Sequence, residues 1–166
     1  MNYPKYAISV STDREIFEFV SNGVKGEIQK LIQFEKTQFP GDAIYNLAFG
    51  DKKYKEVNGC LVMYLDDTVD SENGDRDTVL ATVAASVYEY TSVYADRMII
   101  FTGSDERKTR LYRMAITHNY EELSEDFYIF GVVKEGDALI KKAFDSNTNF
   151  FAYLIKRKSD TFNLTL

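Results

Sequence analysis

Tyr45, Leu47 and Phe49 alternate with Asn46 and Ala48, the period of two that marks a half-buried strand, and Gly50-Asp51 predicts its end. Upstream, Glu18-Phe19-Val20 and the run from Glu27 to Phe34 read as strands joined by a turn at Ser21-Asn22-Gly23, since Asn-Gly between such runs is a hairpin signal. Pro40-Gly41-Asp42 predicts a further turn, Lys52–Asn58 a polar loop, and Leu61-Val62-Met63-Tyr64-Leu65 another strand. An acidic connection runs from Asp66 to Asp77. The period then changes: Leu80, Val83, Ala84, Val87, Thr91 and Tyr94 recur at helical spacing, predicting a helix over Thr78–Tyr94 capped by Asp75 or Asp77. Met98–Phe101 reads as a buried strand and Asp105–His118 as a second helix. Phe127–Val133 and Phe150–Ile155 are aromatic and β-branched enough for strands, with a short helix expected at Ala138–Ala143. The order of strands, helix, strand, helix and strands predicts an α+β fold: a mostly antiparallel sheet with two main helices packed on one side. One domain over 1–158 is expected, followed by a polar C-terminal end over 159–166.

Composition agrees with a packed core. Of 166 residues, 45% are hydrophobic, including 12 Phe and 12 Tyr, which argues against disorder. The formal net charge of −6 removes long-range attraction to nucleic acid or anionic membranes, though a local basic patch remains compatible with it. One cysteine, Cys60, and one histidine, His118, exclude an intramolecular disulfide, multi-cysteine zinc sites and His–His metal pairs. A Cys60–His118 dyad has no supporting nucleophile signature. No apolar run approaches the roughly 20 residues of a membrane span, and Met1-Asn2-Tyr3-Pro4-Lys5 lacks the apolar core of a secretory signal. A cytoplasmic location without membrane contact is the economical expectation.

Chemistry concentrates in one place. Met98–Phe101 meets Thr102-Gly103-Ser104 and passes at once into a helix bearing Arg107, Arg110 and Arg113. A strand–turn–helix corner gathers main-chain N–H groups, and arginine forks suit oxyanions. At 100° per residue, Leu111, Met114, Ala115 and His118 share a face, with Arg107 projecting near its middle, Arg110 on its edge and Arg113 more toward solvent. Tyr112 points away from that stripe and forms with Lys108 a candidate partner patch. One reading is a phosphate or carboxylate ligand on Thr102, Gly103, Ser104, Arg107 and Arg110. The other makes Ser104 a helix cap and pairs Arg107 with an internal carboxylate, and Asp105 and Glu106 favour it by repelling an incoming anion. The acidic residues Asp66, Asp67, Asp70, Glu72, Asp75 and Asp77 offer hard oxygen ligands, but the calcium-loop register fails and a solvated loop is the expectation, so no metal or cofactor is implied. Among the aromatics, Tyr88, Tyr90, Tyr94, Tyr128 and Phe130 read as packing.

Several blocks resemble a bacterial family of unknown function. They are Phe19-Val20-Ser21, Gly26, Tyr45-Asn46-Leu47, Phe49-Gly50-Asp51, Asn73-Gly74-Asp75, Val79–Ala84, Thr102-Gly103-Ser104, Arg107, Thr109-Arg110-Leu111-Tyr112-Arg113 and Ser124–Phe127. The resemblance runs from about Phe19 to Lys158, and the Thr-Gly-Ser to Tyr-Arg block is its most specific part. It implies no reaction or catalytic residue. Where the family carries small or neutral residues, this chain has Asp105-Glu106, which weakens an anion cup here. Three functions follow as expectations. The first is a binding module with a protein partner on Arg107, Arg110, Tyr112 and Arg113, of the kind found in paired-gene conflict (toxin–antitoxin) systems by analogy of size. The second is an enzyme acting on a nucleotide or RNA phosphate at the Thr102–Ser104 corner, lacking an evident general base. The third is a homo-oligomer joined through exposed strand edges.

Overall fold

The computed structural model describes residues 3–39, 43–68 and 72–158. The expected Pro40-Gly41-Asp42 turn, Asp70 of the acidic connection and the polar end over 159–166 lie outside them. Among the described residues there are nine strands and three helices in mostly antiparallel pairing, the α+β class that the pattern predicts. The chain divides into two compact units, each built from two stretches: residues up to Glu35 with Leu47–Tyr90, and Lys36–Asn46 with residues from Thr91 onward.

The first unit contains β1 (Ser9–Val10), β2 (Ile16–Gly23), β3 (Gly26–Lys36, its last residue excepted), most of β4 (Ile44–Val57), β5 (Cys60–Asp66) and α1 (Arg76–Val93) as far as Tyr90. β2 and β3 pair from Ile16↔Gln33 to Gly23↔Gly26. The hairpin therefore turns at Val24-Lys25, and Asn22-Gly23 stays in the strand. A side chain on Gly23 would collide with the main-chain carbonyl of Asn73, so the glycine serves a close approach and not the expected turn. The tight turn that does use Asn-Gly is Asn58-Gly59, where both residues are left-handed (φ 50° and 80°) and join β4 to β5. Lys52–Asn58 is accordingly strand up to Val57, not loop. This arm is exposed toward its tip, so its polar residues need no buried counterpart.

The core of this unit is aromatic. Phe17 meets Phe34 edge-on at 5.7 Å, and Phe34 stacks on Tyr90 of α1 at 3.9 Å. α1 buries hydroxyls among its apolar residues. Thr82 donates to Thr78 O (2.7 Å) and Ser86 to Val83 O (2.6 Å), which satisfies both inside the core.

At the base of the β4–β5 arm, Asp66 accepts from Lys53 Nζ (2.8 Å) and from Thr68 Oγ1 (2.6 Å) and N (3.0 Å). The Lys53 ammonium, then the Thr68 donors, hold its carboxyl at about 2, below the ordinary 3.8. A depressed carboxyl pKa contributes stability above its unfolded value that is lost as pH falls through the folded one. Thermal melting is therefore expected to drop between the ordinary Asp range and about pH 2, and Asp66→Asn should flatten that drop. An equal slope in the variant would remove Asp66 from the explanation.

The second unit pairs Ile44–Asn46 of β4 in parallel with β6 (Met98–Phe101). β6 pairs antiparallel with β9 (Ala152–Arg157), β9 with β7 (Phe127–Glu135), and β7 with β8 (Ala138–Ala143). α2 (Glu106–His118) and α3 (Tyr120–Asp126) complete it. The expected helix over Ala138–Ala143 is strand β8, because Gly136 takes a left-handed φ of 60° and closes a hairpin at Glu135↔Ala138. Val132, Ala152 and Leu154 form a buried cluster with Ile44, Met98, Ile100 and Phe130 against it. Gly131 lies under the Phe150 ring, in space a methyl group would need. The Arg97 guanidinium lies 4.1 Å from the Tyr45 ring centre and 3.7 Å from that of Tyr94. No helix among the described residues is long and apolar enough to cross a membrane.

Candidate functional site

The corner between β6 and α2 closes on itself. Thr102 Oγ1 donates to Phe151 O (2.8 Å), anchoring the start of the turn beside β9. Gly103 N donates to Thr109 Oγ1 (3.0 Å), whose own hydroxyl donates to Asp105 O (3.0 Å). The helix cap is Asp105 and not Ser104: its backbone is extended, and its carboxylate accepts from Lys108 N at 2.8 Å. A Cβ on Gly103 would run into Lys108 and the Thr109 nitrogen, so the turn packs directly on the first helical turn. The N–H groups of Gly103, Lys108 and Thr109 are thus satisfied by the protein's own acceptors. Two carboxylates, Asp105 and Glu106, stand exposed at the helix start, where they complement the dipole and oppose an anion.

The arginines are oriented differently from the wheel expectation. Tyr112 turns inward and meets Phe101 edge-on at 5.2 Å, and Ile116, one turn on, is buried. Leu111 and Ala115 flank them half-buried, whereas Met114 and His118 are exposed. The inner face is therefore centred on Tyr112 and Ile116. Arg107 and Arg110 point outward, and Arg107 does not lie at the middle of the packed face. The error came from weighting Met114 and His118 as apolar-face residues: the aromatic ring of Tyr112 has more surface to bury and a partner in Phe101. Arg113 is half-buried and donates to Asn149 Oδ1 and to Thr148 O (3.4 Å). It ties α2 to the loop before β9. Among the predicted residues, then, Thr102, Gly103, Tyr112 and Arg113 hold the corner together, while Ser104, Arg107 and Arg110 are exposed.

His118 is exposed at the far end of α2, and Asp66 of the first unit is engaged with Lys53 and Thr68.

The first unit holds a cavity of about 410 Å³ that sequence reasoning missed, lined by Tyr6, Glu18, Phe19, Asn22, Lys30 and Lys52 among others. Both of its lysines are paired: Lys52 with Glu18 at 3.0 Å, and the buried Lys30 with Asp51 at 2.5 Å. Beside it, Tyr6 Oη and Ser21 Oγ each donate to Asp75 Oδ2 at 2.5 Å, and Asn73 Nδ2 donates to Ser21 Oγ (3.0 Å) and Gly26 O (2.9 Å). Burial and the Asp75 hydrogen bond both push the Tyr6 hydroxyl up from its ordinary pKa. The legible signal was Lys30, a cation at the same strand parity as the apolar Ile28, Ile32 and Phe34.

What these features define is a chain of the α+β class with an internally closed strand–helix corner and two exposed arginines. The chain belongs to a family of unknown function, DUF6934, whose profile matches residues 2–158. Comparison with curated proteins and with solved structures gave no match.

Proposed function

We propose that this protein is a binding module that engages a protein partner through the outer face of α2. The observation that carries the reading is the pairing of a self-satisfied corner with exposed Arg107, Arg110 and Met114, the last 38% exposed, on one face of the helix. Residues 107, 110 and 114 recur at helical spacing, so their side chains form a continuous strip. Arginine and methionine are enriched in protein interfaces, where a guanidinium can take a carboxylate through two N–H groups. A partner presenting carboxylates around an apolar contact fits that strip. A companion encoded alongside, as in paired-gene conflict systems, would supply one; that extension rests on analogy of size.

The test is affinity capture of the tagged protein from its native cytoplasm, followed by mass spectrometry of bound protein and nucleic acid. A stoichiometric protein partner is expected, reduced about tenfold or more by Arg110→Glu with the melting temperature unchanged. Capture that survives Arg110→Glu would overturn the reading. A bound nucleotide or RNA lost in Arg107→Ala would replace it with phosphate chemistry.

A further inference from the structure

The strand edges of this protein are not alike. β1 is two residues long, and β8 carries Lys141 and Lys142, both devices that discourage a further strand from adding. β5 has neither. It is seven residues long, and Cys60-Leu61-Val62-Met63-Tyr64-Leu65 contains no charge and no proline. It pairs with β4 alone, so its outer row of N–H and C=O groups is unpaired among the described residues. Leu61 is 76% exposed and Val62 41%.

The geometry points to a second copy of this chain as the occupant of that edge, with β5 pairing antiparallel to its own counterpart about a two-fold axis at Met63. Side chains alternate along a strand, so Leu61, Met63 and Leu65 share one face and Val62 and Tyr64 the other. Residues opposite one another in an antiparallel pair share a face as well. The register centred on Met63 sets Leu61 against Leu65, Val62 against Tyr64, and Met63 against itself. Every cross-strand pair from Leu61 to Leu65 is then apolar or aromatic.

Charge is compatible with that occupant. Two copies of a chain of net charge −6 repel over most of their surfaces. On the β4–β5 arm the charges are balanced locally: Lys52 pairs with Glu18 and Lys53 with Asp66, and Lys55 is followed by Glu56. In this register Asp66 and Asp67 of each copy run past the uncharged Cys60 and Gly59 of the other. They do not face one another. β5 has only one outer edge, so the pairing closes at two chains and does not propagate.

The measurement is solution mass by light scattering across a concentration series, joined to a disulfide test of register. The mass of two chains is expected. Met63→Lys and Val62→Lys should each return it to one chain while the melting temperature holds. In a Cys60→Ser background, Met63→Cys should link into a covalent dimer on mild oxidation, because opposed Cα atoms about 4.5–5.5 Å apart are within disulfide reach. Leu61→Cys alone should not link, but Leu61→Cys with Leu65→Cys should. A single-chain mass at high concentration, a dimer that survives Met63→Lys, or linking by Leu61→Cys in place of Met63→Cys would each overturn the proposal. Arg110→Glu should leave the dimer intact, which separates this edge from the α2 surface.

Discussion

Asp51→Ala is expected to lower the unfolding free energy by about 3–5 kcal/mol, the cost of stranding one member of a buried ion pair. Lys30 Nζ lies 2.5 Å from Asp51 Oδ1, with the two side chains only 8% and 10% exposed. Lys30 stands opposite Phe19 in the β2–β3 register, and its ammonium lies 5.7 Å from the centre of the Phe49 ring. Without the carboxylate, a cation is left among aromatic side chains with little water to solvate it. The pair itself need not be strongly stabilising, since desolvation of both ions offsets most of their attraction. The double variant Lys30→Met with Asp51→Leu should therefore recover most of the loss. Urea unfolding of the three proteins checks both statements. A cost below about 1 kcal/mol for Asp51→Ala would mean that the lysine finds water or another anion on its own.

Asn73→Ala should cost about 2–4 kcal/mol, because it removes a clamp of several buried hydrogen bonds at once. Its amide accepts from Lys25 N (2.7 Å) and donates to Ser21 Oγ and Gly26 O, so one side chain holds both ends of the β2–β3 turn. Its main-chain carbonyl also accepts from Val24 N (3.0 Å), a bond the variant keeps. Gly23→Ala should do comparable damage by the opposite route, since its methyl group would occupy the place of that same carbonyl. Combining the two should cost less than their sum if both act on one contact. Equilibrium unfolding of the single and double variants gives the coupling. Full additivity would show the two sites to be independent.

Much of this architecture was legible from local pattern, and its failures share a cause. The alternation at Tyr45–Phe49 and the apolar run Met98–Phe101 are strands that bury Leu47, Ile99 and Phe101, so their apolar character is written in the local sequence. Lys52–Val57 is strand without such sorting, since the exposed arm constrains neither face. Ala138–Ala143 lost its helix to a hairpin set by a left-handed glycine two positions earlier. At the candidate site the residue types were legible, but their orientation was not: Tyr112 and Met114 are equally apolar to a helical wheel, and only Phe101 decides between them. The clamp at Asn73 and the pair at Lys30 join residues distant along the chain. Nothing in the neighbourhood of either one announces its partner.

Strand β4 belongs to both units, and this orders the events of synthesis. Everything the first unit needs has emerged once Tyr90 has left the ribosome, so that unit can collapse on the nascent chain. Ile44–Asn46 must wait for β6, which lies about fifty residues further along the chain than they do and ends at Phe101, and β6 in turn waits for β9 (Ala152–Arg157). The first three residues of β4 thus belong to a unit that is completed only late in translation. A ribosome-stalled series cut between Tyr90 and Phe127 would catch a molecule with one finished unit and one waiting segment, and limited proteolysis around Lys36–Asn46 would mark when the wait ends.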